Sequence, residues 1–255
     1  MGSLKEAIGQ SMERIVTGLV LLVVAIGVAV VDSPFVMWCV LGLVYLISFY
    51  EASKLFDVNE NKLYLLALLL WCVAGFYPTP DGLIFIVLMF LVALMVHQKN
   101  LQTKYLSLFF YPTASMLALL ALYKSYGMGY FAWLILLVAL TDTGAYFVGK
   151  SLGKTPFSPT SPNKTWEGVA GGIFIATFVG AIGGVLLVPF WSAVCISLSV
   201  SAFSVWGDLF ESYLKREAGV KDSGSIFPGH GGMLDRMDGY LFGGVVMLVL
   251  LRGLL

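Results

Sequence analysis

Residues Tyr130–Val148 read YFAWLILLVALTDTGAYFV, a nearly unbroken apolar run. The hydrocarbon core of a bilayer is about 30 Å thick and takes roughly 20 helical residues to cross. This run therefore predicts a transmembrane helix. It also contains one carboxylate, Asp142, near its C-terminal end. A carboxylate within a span needs an interior partner, so Asp142 either hydrogen-bonds a neighbouring helix or belongs to a functional site.

The whole chain of 255 residues has the same apolar character. Hydrophobic residues make up 59% of it and charged residues 12%. Soluble domains are usually about 45–50% apolar and about 25% charged. We therefore predict an all-α polytopic membrane protein that lies in a lipid bilayer. The formal net charge is zero, and no basic stripe interleaved with aromatic residues occurs outside residues 212–238, which argues against nucleic-acid binding.

Nine apolar runs meet or nearly meet the length of a span. They are Ile15–Val31, Phe35–Tyr50, Leu63–Tyr77, Leu83–Val96, Leu106–Leu122, Tyr130–Val148, Val169–Val188, Ala193–Phe210 and Tyr240–Leu255. The third and fourth are short and flank a strong turn signal, so they either cross or form a hairpin that does not cross fully. We interpret residues 1–130 as a helical scaffold with a possible role in dimerisation, and residues 131–255 as the part that carries the active site.

The distribution of lysine and arginine indicates the orientation of the spans, because these residues favour the cytoplasmic side. With a cytoplasmic N-terminus, thirteen of the fifteen fall on that side, and Lys124 and Arg252 fall on the other. The sequence thus predicts that the C-terminus lies on the opposite side and that the loop before the last span is cytoplasmic. The compact chain favours a bacterial inner membrane.

That loop belongs to the most polar segment of the chain, Ser212–Asp238, which reads SYLKREAGVKDSGSIFPGHGGMLDRMD. It holds four of the fifteen Lys/Arg residues, one of the two histidines and four carboxylates. Charge of this density beside a membrane indicates a functional site. Its composition indicates the ligands: carboxylates suit a hard cation, Lys and Arg suit phosphate, and glycines let backbone approach a ligand.

Three carboxylates, Asp208, Asp235 and Asp238, lie at the cytoplasmic ends of the last two predicted spans. Oxygen ligands alone suit Mg²⁺ better than zinc, so we predict a magnesium site, with Asp238 supporting it or binding a second cation. His230 has no His or Cys partner at ligand spacing. It is either a simple hydrogen-bonding residue or one that contacts phosphate or transfers a proton.

A second polar segment, Gly149–Gly168, reads GKSLGKTPFSPTSPNKTWEG, and we expect it to meet the first on the cytoplasmic face. After it, small residues recur at every fourth position: Gly168, Gly172, Ala176, Gly180 and Gly184. Such a row lets helices pack closely, and it serves either the protomer itself or a contact between protomers.

Several of these motifs resemble the signature of the phosphatidate cytidylyltransferases, also called CDP-diacylglycerol synthases. They are Ser212–Arg216, Lys221–Gly224, Phe227–Pro228, His230–Gly232 and Asp235–Asp238, with Asp142–Tyr146, Ser161–Pro162 and Lys164–Gly168 upstream. The resemblance covers roughly residues 142–238, and the first 130 residues match only as generic membrane helices.

The resemblance implies an Mg²⁺-dependent reaction of CTP with phosphatidate that gives CDP-diacylglycerol and pyrophosphate, and it makes a homodimer plausible. The metal ligands would be Asp208, Asp235 and Asp238. The catalytic residues would be Lys215, Arg216, Lys221, His230 and Arg236. Further substrate contacts would come from Lys164, Asn163, Lys150, Asp142, Ser212, Asp222, Gly231 and Gly232. Asp222 is either such a contact or the partner of a neighbouring lysine.

Two other classes fit the sequence less well. A CDP-alcohol phosphotransferase has an Asp-Gly pair followed closely by Ala-Arg, whereas Asp238-Gly239 is followed by Tyr240-Leu241-Phe242. A transporter would place charges at mid-membrane in internal repeats. Here the charges cluster at one surface and no repeat is visible.

Overall fold

The fold is almost entirely helical, as a computed structural model that describes residues 2–99, 103–227 and 231–255 shows. The helices are α1 (Gly2–Val31), α2 (Pro34–Leu55), α3 (Asn61–Phe76), α4 (Leu83–Gln98), α5 (Lys104–Leu108), α6 (Ser115–Tyr126), α7 (Met128–Leu152), α8 (Trp166–Gly184), α9 (Phe190–Glu217) and α10 (Leu234–Leu254). A 3-10 turn (Pro80–Gly82) precedes α4, and a π-helical stretch (Phe109–Ala114) joins α5 to α6. The strands β1 (Pro156–Ser158) and β2 (Ser161–Thr165) form a hairpin between α7 and α8.

Seven helical segments among the described residues are long and apolar enough to cross a membrane. They are Pro34–Leu55, Pro80–His97, Lys104–Tyr126, Met128–Leu152, Trp166–Gly184, Phe190–Glu217 and Leu234–Leu254. Val16–Val31 and Asn61–Phe76 are shorter apolar helices. Each of the nine predicted runs overlaps a helical segment, so the prediction of an all-α polytopic membrane protein is confirmed. The count of nine spans stays a prediction, because seven of these segments among the described residues reach the length of a span.

The predicted run Leu106–Leu122 differs from a simple span because it is interrupted. Tyr111 has an extended backbone, with φ −129° and ψ 116°. The cause is Pro112, whose ring disfavours the helical conformation for the residue before it. The helix resumes as α6, which lies at the centre of the fold with Leu117 and Leu119 fully buried.

The row of small residues on α8 packs against α7 within the protomer. A Cβ at Gly172 would lie 2.4 Å from the carbonyl oxygen of Thr141, and one at Gly144 would lie 3.0 Å from the Cα of Gly172. Only glycine permits this backbone approach. Of the two roles left open by the sequence, the row therefore serves helix packing inside one chain.

A second close approach joins α9 to α10. A Cβ at Gly207 would lie 2.3 Å from the carbonyl oxygen of Asp238. The two helices touch through their backbones at this point, so Asp208 and Asp238 belong to one neighbourhood although thirty residues separate them.

Candidate active site

Asp235, in the first turn of α10, is buried and fully hydrogen-bonded. Its Oδ1 accepts from Lys215 Nζ at 2.6 Å. Its Oδ2 accepts from the backbone N–H of Ser223 at 2.8 Å, from Ser223 Oγ at 2.8 Å and from the N–H of Gly232 at 2.7 Å. Gly231 has a φ of +77°, and a Cβ there would lie 2.6 Å from Asp235 Oδ2. One carboxylate thus ties α9, the loop after it and α10 together.

Lys215 also contacts Glu211 one turn earlier on α9, with Nζ 3.1 Å from Oε2. Glu211 is fully buried, and its Oε1 accepts no hydrogen bond from an N–H or O–H group within the described part of the chain, whereas the carboxyl group of Asp238 lies within reach of it. A buried carboxylate oxygen without a hydrogen-bond donor is costly. This oxygen is therefore a candidate ligand for a cation.

Asp208 is the centre of a second group of polar side chains. It forms an ion pair with Lys164 of β2, and its Oδ1 accepts from Ser212 Oγ at 3.3 Å. The two polar segments therefore meet, as the sequence predicts. The segment around the hairpin is fixed by Glu167, whose carboxylate accepts from the N–H groups of Lys154 and Thr155, both at 3.2 Å.

A cavity of about 470 Å³ opens beside this ion pair, between α7, α8, α9 and β2. Four predicted substrate-binding residues line it together with Asp208: Asp142, Lys150, Asn163 and Lys164. Asp142 therefore faces an open polar cavity and is not a side chain buried against a neighbouring helix. The cavity offers two ammonium groups, two carboxylates and one amide to a ligand.

Asp238 lies between the two groups. Its carboxyl group is close enough to those of Asp208, Glu211 and Asp142 to interact with them electrostatically. Its Oδ1 accepts from the N–H of Gly239 at 2.8 Å. Four carboxylates from α7, α9 and α10 thus share one region, and their mutual repulsion favours binding of a cation.

Comparison with known proteins identifies the family. Residues 12–254 match the model of the cytidylyltransferase family. The chain is 42% identical to the phosphatidate cytidylyltransferase of Helicobacter pylori strain J99, over 97% of this chain and 94% of that protein. The chain belongs to the cytidylyltransferase family. Over 46% of its length it is also 51% identical to the phosphatidate cytidylyltransferase of Bacillus subtilis strain 168, over 45% of that protein.

Membership confirms the resemblance drawn from the motifs and makes the protein an enzyme, a nucleotidyltransferase of phospholipid synthesis. It also extends the resemblance, because the match includes helices α2 to α6, which by their motifs resemble the family only as generic membrane helices.

The oxygen chemistry of this cytidylyltransferase site fits a hard cation such as Mg²⁺, because Asp208, Asp238 and Glu211 supply only oxygen atoms and one of these accepts no hydrogen bond from the described part of the chain. Within residues 2–99, 103–227 and 231–255, no three His, Cys, Asp or Glu side chains are already grouped at metal-binding spacing. Instead, lysines hold two of the predicted ligands: Lys164 pairs with Asp208, and Lys215 pairs with Asp235.

Four further residues predicted for the cytidylyltransferase site are exposed. Arg216 is exposed and donates to the carbonyl of Val220 at 3.3 Å. Lys221 and Asp222 are exposed, and the described residues include no ion pair that would decide between the two roles of Asp222. Arg236 is exposed and lies within electrostatic range of Asp142. His230 falls outside the described residues.

Sequence reasoning missed Glu51. It lies on α2, which extends to Leu55 and so past the predicted end of this run at Tyr50. Glu51 is 2% exposed and accepts hydrogen bonds from Ser223, Met233 and Leu234 at the start of α10. The sequence signal that could have identified it is its position, since Glu51 is a single acidic residue directly after the apolar run Phe35–Tyr50.

Proposed function

We propose that this enzyme transfers the cytidylyl group of CTP to phosphatidate, with Mg²⁺ as cofactor, and releases CDP-diacylglycerol and pyrophosphate. The observation that carries the proposal is the polar cavity beside Asp208, into which Lys150 and Lys164 project from a membrane-spanning fold. The names of the similar proteins from two bacterial genera agree with it.

The reaction needs positioning and charge neutralisation more than covalent catalysis. A phosphate oxygen of phosphatidate forms a bond to the α-phosphorus of CTP, and the bond from this phosphorus to the oxygen bridging the α and β phosphates breaks. Pyrophosphate leaves with that bridging oxygen and its electron pair. No other reactant is required.

Two anions must approach each other, so the site must supply positive charge. Lys164 and Lys215 are held in place by Asp208 and Asp235, so they are oriented before substrate arrives. Lys150 faces the cavity, and Arg216, Lys221 and Arg236 are exposed. Arginine binds phosphate as a two-pronged donor and lysine as a point charge. We assign all six to the phosphates of the two substrates, and His230 to phosphate contact or proton transfer.

Asp208 and Asp235 would hold the Mg²⁺, and Asp238 would support it or bind a second cation. Because Asp235 already accepts four hydrogen bonds, it would have to release at least one donor, such as Lys215, to hold the metal. Glu211 Oε1 is a further oxygen within the same group. When bound, the metal supplies positive charge to phosphate oxygens and to the leaving pyrophosphate. Asp142, Asn163, Ser212, Asp222, Gly231 and Gly232 would contact substrate.

We further propose nine spans in a bacterial inner membrane, a cytoplasmic N-terminus and a site that faces the cytoplasm. Support comes from Lys124 and Arg252, the two cationic residues assigned to the side of the membrane opposite the cytoplasm. Arg252 pairs with Asp81 at 2.5 and 2.9 Å, and Lys124 Nζ donates to the carbonyl of Tyr77 at 2.7 Å. Both lie at the ends of α10 and α6 that are remote from Asp235. A homodimer would be compatible with this arrangement.

The decisive experiment measures pyrophosphate release by the purified protein in detergent, with phosphatidate, CTP and Mg²⁺. We expect release only when both substrates are present, and none after addition of EDTA. Release from CTP alone, or its absence at every Mg²⁺ concentration tested, would contradict the proposed reaction.

A further inference from the structure

We propose that Glu51 is a positioning residue for nucleotidyl transfer. From α2 it fixes the described parts of the loop between α9 and α10, residues 218–227 and 231–233, and through them it orients Asp235. This inference rests on the proposed function. It assigns a role in the reaction to the N-terminal helices, in which the sequence shows no motif of the family.

Glu51 binds the first N–H groups of α10. Its Oε2 accepts from the N–H of Leu234 at 2.7 Å, and its Oε1 accepts from the N–H of Met233 at 3.0 Å. The first N–H groups of a helix have no partner within the helix, and the helix dipole favours negative charge at this end. Glu51 therefore fixes the start of the helix that carries Asp235 and Asp238.

Ser223 links Glu51 to Asp235. Its Oγ lies 3.2 Å from Glu51 Oε2 and 2.8 Å from Asp235 Oδ2. A hydroxyl group has a single proton to donate, so the two carboxylates share it. Asp235 in turn accepts from Lys215 at 2.6 Å. A displacement of Glu51 is thus transmitted through one hydroxyl group to the pair formed by Asp235 and Lys215.

Two glycines of the loop are required by the presence of Glu51. A Cβ at Gly224 would lie 2.2 Å from Glu51 Oε1, and one at Gly232 would lie 2.5 Å from the same oxygen. The loop therefore encloses the carboxylate closely. Because Glu51 reaches the loop but is not among the residues that line the cavity, we assign it positioning and not substrate contact.

Glutamine is the sharpest replacement for Glu51. The Ser223 hydroxyl group and the N–H groups of Met233 and Leu234 all donate hydrogen bonds to Glu51. In glutamine, one of the two accepting oxygens is replaced by an NH₂ group, which is itself a donor and would face one of these donors. We expect Glu51→Gln to lower kcat at least tenfold while the KM for CTP changes less than threefold. Glu60→Gln is the control, because Glu60 is exposed and its side chain accepts a hydrogen bond from Tyr105 and none from the loop among the described residues. We expect that variant to keep wild-type kinetics.

A double-mutant cycle with Ser223→Ala separates positioning from a general loss of structure. We expect the two substitutions to be strongly non-additive, because both interrupt the same connection to Asp235. Amide hydrogen exchange provides a readout that does not depend on activity. Exchange in peptides covering residues 220–235 should accelerate in Glu51→Gln and stay unchanged in Glu60→Gln.

Gly224→Ala tests the same idea in a chain that keeps Glu51, in case Glu51→Gln does not fold. Its Cβ would displace the carboxylate, whereas Gly253→Ala meets nothing within 4 Å and serves as control. Of these two variants, we expect only Gly224→Ala to have a lower kcat than the wild type.

Wild-type kcat in Glu51→Gln or Gly224→Ala, or additive effects in the cycle, would overturn the inference. An inactive wild-type protein would instead refute the proposed function, and the exchange experiment would still test whether Glu51 holds the loop.

Discussion

Lys164 on the β-hairpin forms an ion pair with Asp208 on α9, forty-four residues further along the chain. The pair lies beside the cavity and joins the two polar segments of the protein. An ammonium group held this way is available to a phosphate without a large rearrangement, because it is already oriented toward the site.

Replacing Lys164 should therefore impair substrate binding. We expect Lys164→Met to reduce kcat/KM at least tenfold, mainly through a higher KM for one of the two phosphate substrates, because one charge-assisted contact is lost. Steady-state kinetics with each substrate varied in turn would measure this. Lys154→Met, which changes a nearby exposed lysine outside the cavity, should behave like wild type. Equal kinetics in both variants would remove Lys164 from the phosphate role.

Replacing Asp208 should affect the dependence on metal. We expect Asp208→Asn to lower kcat about 100-fold or more and to raise the Mg²⁺ concentration needed for half-maximal rate, because one anionic oxygen ligand is lost. Pyrophosphate release titrated with Mg²⁺ would measure both effects. The control is Asp57→Asn, at an exposed position whose φ of +52° asparagine also tolerates. Near-normal turnover with unchanged Mg²⁺ dependence in Asp208→Asn would refute the metal assignment.

The contact of α9 with α10 should be sensitive to a single methyl group. In Gly207→Ala the new Cβ would lie 2.3 Å from the carbonyl oxygen of Asp238, so the helices must separate. We expect this to lower the free energy of unfolding by about 1–3 kcal/mol and to reduce activity as well. Thermal unfolding in detergent would show it. Gly183→Ala on α8 meets nothing within 4 Å and should unfold at or above the wild-type temperature. Equal unfolding temperatures would contradict the close contact.

At the opposite end of the molecule, the pair of Arg252 and Asp81 should matter little for catalysis. The arginine side chain is 39% exposed. Exposed ion pairs typically contribute about 0–1 kcal/mol, so Arg252→Gln should change stability by no more than this and leave kcat unchanged. Kinetics and thermal unfolding of the variant provide the check. A large loss of activity would mean that this end communicates with the site.

The sequence predicts the helices and much of the site for a clear physical reason. An apolar run in a bilayer forms a helix because its backbone polar groups must be hydrogen-bonded internally. Charged residues such as Asp208 and Lys215 are energetically costly beside lipid, so their presence there indicates a functional site. The sequence predicts that the two polar segments meet, but it cannot predict which individual residues of distant segments pair. The contact of Gly172 with Thr141 and the bonds of Glu51 to the start of α10 depend on how helices are arranged, and neither follows from local spacing. Pro112 is a sequence signal for the interruption at Tyr111. The continuous apolar run around Pro112 nevertheless predicts an unbroken helix.

The position of Glu51 has a consequence for biosynthesis. Its backbone partners Met233 and Leu234 follow it by 182 and 183 residues, so α2 is made long before they exist. Until α10 is inserted, the membrane holds a carboxylate that lacks its hydrogen-bond donors, which is an unfavourable state for a charged group. Arrival of α10 relieves it. Insertion of α10 thus both stabilises the newly made protein and brings Asp235 and Asp238 to the proposed site. A chain stopped before α10 should therefore be inactive and be degraded by membrane quality control.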